Sequence, residues 1–188
     1  TVSHEYVTPV KGSWKLTFDT LLGGPKNPVF FRDELVDLAQ SDDPDIRYFS
    51  GLVTYENSFD VPEKGKGSEL SLRIPGLQGV AQVSANDSVA GIIWCDPWEI
   101  DITPFVKSGK NTLRIDVRTP LANRLIGDAS LPESQRKLYT YTQLYTADNR
   151  PVPSGIIGEV LLCTSGSGSP ETADQKESPA WDNTKRRN

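Results

Sequence analysis

The chain has 188 residues, of which 36% are hydrophobic and 24% are charged, and its formal net charge at pH 7 is −5. This length suits a single domain whose core is large enough to fold without a disulfide. The acidic balance argues against nucleic acid as a partner, because such binding depends on Lys and Arg contacts with phosphate. The sequence contains no apolar run of the length that a membrane-spanning helix needs.

Residues 1–11 are predicted to form an N-terminal arm that precedes the folded domain. Residues 1–5 lack the positive and apolar segments of a signal peptide. The chain also contains no Met, so we expect a processed form or a piece of a longer protein. The one histidine, His4, lies in this arm, and a Ser-His-Asp catalytic set built on it is therefore disfavoured.

From residue 12 onward, apolar and polar residues alternate in many short segments, which is the pattern of half-buried β-strands. In the clearest segment, Val53, Tyr55, Asn57 and Phe59 share one side. The predicted strands are 12–18, 53–59, 70–74, 81–85, 89–94, 113–117, 138–145 and 159–163. Between them we expect a loop at 21–28, one or two helical turns at 33–39, a turn at 41–45, a flexible charged connection at 63–67 and a hairpin turn at 86–87.

These segments predict an all-β fold, a jelly-roll-like antiparallel β-sandwich that spans 12–163. Residues 164–188 are a Ser, Gly and Pro linker and a polar tail, in which Trp181 is the one large apolar residue. We expect this tail to be disordered or to wrap a neighbour. The two cysteines, Cys95 and Cys163, permit one disulfide or two buried free thiols, and we favour the thiols.

Several motifs occur in a distinctive order along the chain. They are YFSGLVTY at 48–55, QVSANDS at 82–88, Trp94 and Pro97 with DIT at 101–103, GKNTL at 109–113, NRLIGD at 123–128 and PSGIIGEV at 153–160. Together they resemble the C-terminal galactose-binding-like sandwich of family 106 α-L-rhamnosidases and, more distantly, the sugar-binding domain of family 2 glycoside hydrolases. The resemblance covers roughly residues 12–163.

In those enzymes the catalytic carboxylates lie in a separate barrel, and a barrel of that kind needs about 250 residues. The resemblance therefore implies a non-catalytic accessory domain of a polysaccharide-degrading glycoside hydrolase in the extracellular space or the periplasm. Its partners would be carbohydrate and the catalytic barrel of the same enzyme, not nucleic acid or a membrane. We expect no cofactor. Sandwiches of this type often hold a structural calcium ion, but the acidic loop at 42–45 lacks a ligand spacing that defines a site.

The segment WCDPW at 94–98 is the first candidate for carbohydrate binding. Sugar recognition needs a flat aromatic face for the C–H side of the ring and planar polar groups for pairs of hydroxyls. Trp94 and Trp98 supply the first, and Asp96 supplies the second. The alternative is that Trp94 fills the sandwich core and Trp98 covers its rim.

The second candidate combines Asn123, Arg124 and Asp128, which we predict to lie in a loop. Arginine offers a fork of donors, and the amide and carboxylate can bind hydroxyls. The alternative is an internal Arg124–Asp128 pair that pins the loop to the sheet. A third candidate is an aromatic platform on the predicted strand 138–145, where Tyr139, Tyr141 and Tyr145 would share a face.

Three functions remain open at this point. The chain binds carbohydrate as an accessory domain, it only buttresses a catalytic barrel, or it contributes loops to that barrel's active site. The many acidic residues offer carboxylate pairs, but no pair lies in an evident cleft, so we do not expect the chain to be catalytic by itself.

Overall fold

The computed structural model describes residues 4–62, 68–142 and 144–166 and shows the predicted antiparallel β-sandwich. In chain order its strands are β1 (His4–Pro9), β2 (Ser13–Phe18), β3 (Val29–Arg32), β4 (Leu52–Val61), β5 (Glu69–Arg73), β6 (Leu77–Gln78), β7 (Val80–Ala85), β8 (Ser88–Ile93), β9 (Glu99–Asp101), β10 (Gly109–Arg118), β11 (Gly155–Ile156) and β12 (Leu161–Gly166). Two α-helices, α1 (Pro44–Arg47) and α2 (Ala122–Ala129), lie within this described part of the chain. Short 3-10 turns occupy Thr20–Leu22, Leu38–Gln40, Thr103–Phe105 and Glu133–Gln135.

Two sheets form the sandwich. The larger has the order β3-β2-β4-β10-β7-β8, and the smaller has the order β1-β12-β5-β9. Strands β4 and β10 lie at the centre of the larger sheet and pair along their full lengths, from Gly109 opposite Val61 to Arg118 opposite Leu52. A short β11–β6 pair lies outside the two main sheets.

The core lies between the sheets and is built from alternate residues of the strands, as the sequence pattern predicts. On β2 the side chains of Trp14, Leu16 and Phe18 are buried, whereas their neighbours are exposed. The other strands contribute in the same way. Among the buried core residues are Val53, Tyr55, Phe59, Leu70, Leu72, Ala81, Val83, Leu113, Ile115, Val117 and Leu162.

The predicted hairpin joins β7 to β8. Its two turn residues, Asn86 and Asp87, have φ values of 49° and 64°. Positive φ at both central residues is the geometry of a type I′ turn, which suits the twist of antiparallel strands. The Asn86 side chain also donates to the oxygen of Asn111, at 2.7 Å, and so ties the hairpin to the start of β10.

Sequence reasoning was wrong in several places. Residues 123–128 are part of helix α2 and not a loop, and residues 138–145 form no strand in the part that the structure describes. Segment 33–39 forms only a 3-10 turn at its end, and the predicted turn at 41–45 leads into α1. Strand β1 lies within the range assigned to the N-terminal arm and pairs with β12.

Cys95 and Cys163 are not joined by a disulfide. Cys163 is buried as expected, but Cys95 is exposed. None of the helices in the described ranges is long and apolar enough to span a membrane. Residues 164–166, predicted as the start of the linker, are the end of strand β12. The connection at 63–67 and the rest of the predicted linker and tail, 167–188 with Trp181, lie outside the described residues.

Asn111→Ala is expected to destabilise the fold. The buried Asn111 side chain donates to the carbonyls of Lys107 and Gly109, both at 2.8 Å, and accepts from the backbone N–H of Lys107 at 2.9 Å. Loss of these bonds leaves buried polar groups without hydrogen-bond partners, so we expect the free energy of unfolding to fall by about 3 kcal/mol. Urea denaturation measures the change. The exposed neighbour variant Lys110→Ala is the control, and equal stabilities of the two variants would contradict the prediction.

Candidate functional site

The candidate residues gather at one end of the larger sheet. Strand β10 ends at Arg118, which lies opposite Leu52 on β4 and opposite Val80 on β7. The next residue of β7, Ala81, pairs with Ile93, the last residue of β8. The segment at 94–98 and the chain leading into α2 therefore leave the sheet on the same side, which we call the α2 end.

The segment at 94–98, which we call the Trp94 loop, joins β8 to β9 across this end. Trp94 is 68% exposed, so it does not fill the sandwich core. Asp96 is also exposed. Trp98 is half-buried and packs against the core, which agrees with a position at its rim. The loop thus presents one free indole face beside one carboxylate and is anchored by its second tryptophan.

An ion pair fixes the chain directly after this loop. Glu99 accepts hydrogen bonds from the Ser71 hydroxyl and from Arg73 Nε, the latter at 2.7 Å. Burial by itself would raise the pKa of Glu99. The two hydrogen bonds and the Arg73 charge outweigh it, so the pKa lies below the ordinary 4.5. The ion pair links β9 to β5 and holds the exit of the Trp94 loop.

Helix α2 places its polar side chains toward the protein. Asn123 is fully buried, and its amide donates to the carbonyl of Val152 and accepts from the N–H of the same residue, both at 2.8 Å. This paired contact fixes the segment before β11 against the helix. Gly127 allows the close approach of α2 to the segment between α1 and β4, because a Cβ there would lie 2.7 Å from the Cβ of Tyr48.

Asp128 organises the segment after α2. Its Oδ2 accepts hydrogen bonds from the backbone N–H groups of Lys137 and Leu138, at 2.9 and 2.8 Å. Its Oδ1 is buried without a hydrogen-bond partner. The carboxylate thus takes up two N–H groups that a strand at this position would have used for pairing.

Arg124 is joined to the sheet through its backbone. Its N–H donates to the Ser50 hydroxyl at 3.0 Å, and that hydroxyl donates to the carbonyl of Pro120 at 2.6 Å. The side chain is only 5% exposed, yet its Nε and Nη2 have no hydrogen-bond partner. Burial lowers the pKa of Arg124, and the charges of Asp128 and Asp45 oppose this effect. A direct Arg124–Asp128 salt bridge is absent from the part of the chain that the structure describes.

The tyrosines lie along a groove next to α2. The groove has a volume of about 480 Å³ and runs between the helix and residues 133–142 and 144–145. Tyr139 and Tyr141 are exposed, with their ring centres 5.5 Å apart and their planes nearly perpendicular. Tyr145 also lines it, although no strand aligns the three rings. Arg136, Lys137 and Glu133 in the same lining were not singled out from the sequence.

The structural calcium ion that sandwiches of this type often hold is not assigned to a site. Within the described ranges no group of three or more His, Cys, Asp or Glu side chains is placed to hold a metal ion. The acidic loop uses its carboxylates locally: Asp43 caps α1, Asp42 lies 3.7 Å from Arg47, and Asp45 lies 3.6 Å from Lys137.

Asp128→Ala is expected to release the segment that forms one wall of the groove. The carboxylate accepts two backbone N–H groups, so its loss should lower the free energy of unfolding by about 2–3 kcal/mol. Hydrogen–deuterium exchange should become faster at the backbone amides of Lys137 and Leu138, and the amides of the sheet strands should be less affected. Glu133→Ala, an exposed change in the same segment, is the control. Unchanged exchange in Asp128→Ala would contradict this role.

The Glu99 ion pair predicts a pH dependence of stability. The carboxylate has a lower pKa in the folded chain than its ordinary 4.5, so its contribution is fully present above that value and is lost as pH falls through the lowered pKa. Between about pH 5 and pH 3, Glu99→Gln should therefore lose less stability than the wild type. Ser71→Ala should lie between the two. Urea denaturation across this range measures the slopes, and parallel curves for all three proteins would refute the assignment.

Comparison with known proteins agrees with this architecture. Residues 39–150 match the model of the family described as glycosyl hydrolase 2 galactose-binding domain-like. The structure of a rhamnosidase from Novosphingobium sp. PP1Y is similar with a TM-score of 0.78 and 35% identity, over 87% of this chain and 15% of that chain. A β-D-glucuronidase from Dictyoglomus thermophilum shares the fold with a TM-score of 0.58 and 21% identity, over 87% of this chain and 28% of that chain.

A curated protein of Formosa agariphila, "Putative beta-glucuronidase", is 35% identical over 123 residues. That match covers 64% of this chain and 10% of the relative, so the chain spans only a small part of the proteins that it resembles. The family match extends over more than half of the chain and includes β4, β10 and α2. The chain therefore belongs to the glycosyl hydrolase 2 galactose-binding domain-like family, as its motifs predict.

Proposed function

We propose that the chain is a non-catalytic, carbohydrate-binding accessory domain of a polysaccharide-degrading glycoside hydrolase, of the α-L-rhamnosidase-like kind. The observation that carries the proposal is the exposure of Trp94, at 68%, at the end of the sheet where the tyrosine-lined groove also opens next to α2. The exposed indole supplies a flat apolar face of the kind that stacks on the C–H side of a sugar ring.

The chemistry follows from the side chains at this end. The Trp94 indole stacks on the C–H face of a sugar ring, and Asp96 accepts hydrogen bonds from its hydroxyls. Tyr139 and Tyr141 offer further aromatic surface along the groove. Because these surfaces are open and bury little ligand, the affinity should be weak, with a Kd on the order of mM to µM.

Most of the remaining candidate residues are buried and support the binding surface without contacting the ligand. Asn123 and Asp128 are buried, and their hydrogen bonds to backbone groups hold the groove in shape. Trp98 braces the Trp94 loop against the core. Arg124 differs from these three, since its guanidinium has unused donors and lines a cavity.

The setting of the domain is also part of the proposal. The similar rhamnosidase is several times longer than this chain, which covers 15% of it. We therefore place the catalytic carboxylates in a separate barrel of the same enzyme, and the enzyme in the extracellular space or the periplasm. The domain would hold the polysaccharide near that barrel.

A second function, a structural buttress without sugar binding, is favoured by one observation. The edge strand β8 and its neighbour expose Val80, Val89 and Ile92 to solvent. Apolar side chains clustered on a sheet edge suit a contact between domains. Under this alternative the same edge would pack on the catalytic barrel, and isolated sandwiches would bind no glycan.

Trp94→Ala separates the two functions. After a glycan array identifies ligands, calorimetric titration should show that the variant binds them roughly two- to tenfold more weakly, since an aromatic stacking contact contributes about 0.5–1.5 kcal/mol. Trp94 is exposed, so the fold should be unaffected. Ile92→Ala, on the same exposed edge, is the control and should bind like the wild type. Absence of binding to any glycan by the wild-type chain would favour the buttress.

A further inference from the structure

A second cavity at the α2 end is lined by basic side chains. It has a volume of about 550 Å³ and lies between the 3-10 turn after β2, the start of β4 and the N-terminal part of α2. Three cations line it: Arg118, Arg124 and Lys137. Its lining contains no carboxylate, although the chain as a whole has a net charge of −5. This concentration of positive charge favours an anionic ligand.

The hydrogen-bond donors that line this cavity differ in whether they already have a partner within the protein. The Ser50 hydroxyl already bonds Pro120 and Arg124, and the Thr119 hydroxyl bonds both backbone groups of Gly51. In contrast, Nε and Nη2 of Arg124 are buried without any hydrogen-bond partner. A buried cation with unused donors is costly, and an anion that accepts from them would remove the cost.

The other two cations are accessible. Arg118 is exposed and forms no ion pair within the described ranges. Lys137 Nζ lies 3.6 Å from Asp45 and 3.3 Å from the carbonyl of Gly23. Asp45 and Asp128 are the acidic groups whose charges act on Arg124. Asp128 binds two backbone N–H groups through Oδ2, Asp45 is paired with Lys137, and neither carboxylate accepts a hydrogen bond from Nε or Nη2 of Arg124.

The basic cavity also adjoins the tyrosine-lined groove, because Lys137 and Leu138 line both. A ligand that extends along the groove would therefore reach the cations next. A cavity of several hundred Å³ is large enough for a monosaccharide unit. Leu22, Leu121 and Leu138 supply apolar surface for its ring, and the planar fork of arginine matches a carboxylate in shape.

We propose that this cavity binds the carboxylate of an acidic sugar, a uronic acid unit of the polysaccharide, through Arg124 and Arg118. The inference rests on the proposed carbohydrate-binding function and specifies its ligand class. Arg124 holds the carboxylate from within the cavity, and Arg118 contacts it from the end of β10. The neutral part of the polysaccharide lies along the tyrosine-lined groove.

The test compares D-glucuronate with D-glucose, two sugars that differ in a carboxylate at C6, by titration of the 188-residue chain. We expect glucuronate to bind at least about tenfold more tightly, because one charge-assisted hydrogen-bonded contact is of that strength. Arg118→Gln should remove most of this preference, and Arg124→Gln should remove all of it. Lys15→Gln, with the same change in net charge at a surface ion pair with Glu56, should retain it.

If Arg124→Gln does not fold, Arg118→Gln still tests the proposal, because Arg118 is exposed and its replacement should leave the fold intact. Equal affinity for glucuronate and glucose would overturn the uronate assignment, and so would an unchanged preference in Arg118→Gln. Equally tight binding of sodium sulfate would also overturn it, because the site would then select charge and not a sugar. If neutral oligosaccharides still bind in a Trp94-dependent manner, the proposed function stands. If no sugar binds, both proposals fall.

Discussion

The pairing of β4 with β10 is the constraint on which the rest of the structure depends. The two strands run side by side from Val61 opposite Gly109 to Leu52 opposite Arg118, at the centre of the larger sheet. Tyr55 and Ile115 face each other in this pair, and both are completely buried. Because one face of each strand is committed to the core, a shift of register by one residue would expose this whole set. The register of the central pair is therefore fixed.

That register also decides where the functional residues lie. At the Arg118 end of the pair, Gly51 and Thr119 bond each other, and Ser50 bonds both Pro120 and Arg124. The chain therefore enters α2 at the same end of the sheet at which β8 ends and the Trp94 loop begins. The tyrosine-lined groove and the basic cavity adjoin each other there through Lys137 and Leu138, and the Trp94 loop leaves the sheet at the same end.

Sequence reasoning succeeded where a local pattern determines the structure. Alternation identified β2, β4, β7 and β10, and the Asn86-Asp87 pair identified the hairpin, because both signals depend on neighbouring residues. It was wrong at 138–145, where Tyr and Thr alternate like a strand but Asp128 binds the backbone N–H groups of Lys137 and Leu138. Helix α2 was missed because its buried face carries the polar residues Asn123, Arg124 and Asp128, and not the apolar stripe by which a helix is usually recognised.

The candidate site was only partly accessible to sequence reasoning for the same reason. Trp94 was identified as a candidate, yet its exposure depends on how Trp98 braces the loop, which no local pattern reports. The basic cavity joins segments near residues 20–23, 50–51, 118–124 and 137–138, which only the fold brings together. No local sequence pattern therefore identified Arg118 or Lys137 as a candidate binding residue.

The central claim is that the α2 end is a carbohydrate-binding surface. The most direct test is amide chemical-shift mapping by NMR of the chain titrated with the strongest oligosaccharide ligand from a glycan array. The account predicts saturable shifts at the Trp94 loop, near Arg118 and Arg124, and at Lys137–Tyr141, with none at the opposite end around Asn86 and Asp87. Saturable shifts confined to that hairpin end, or no saturable shifts with any glycan, would contradict it.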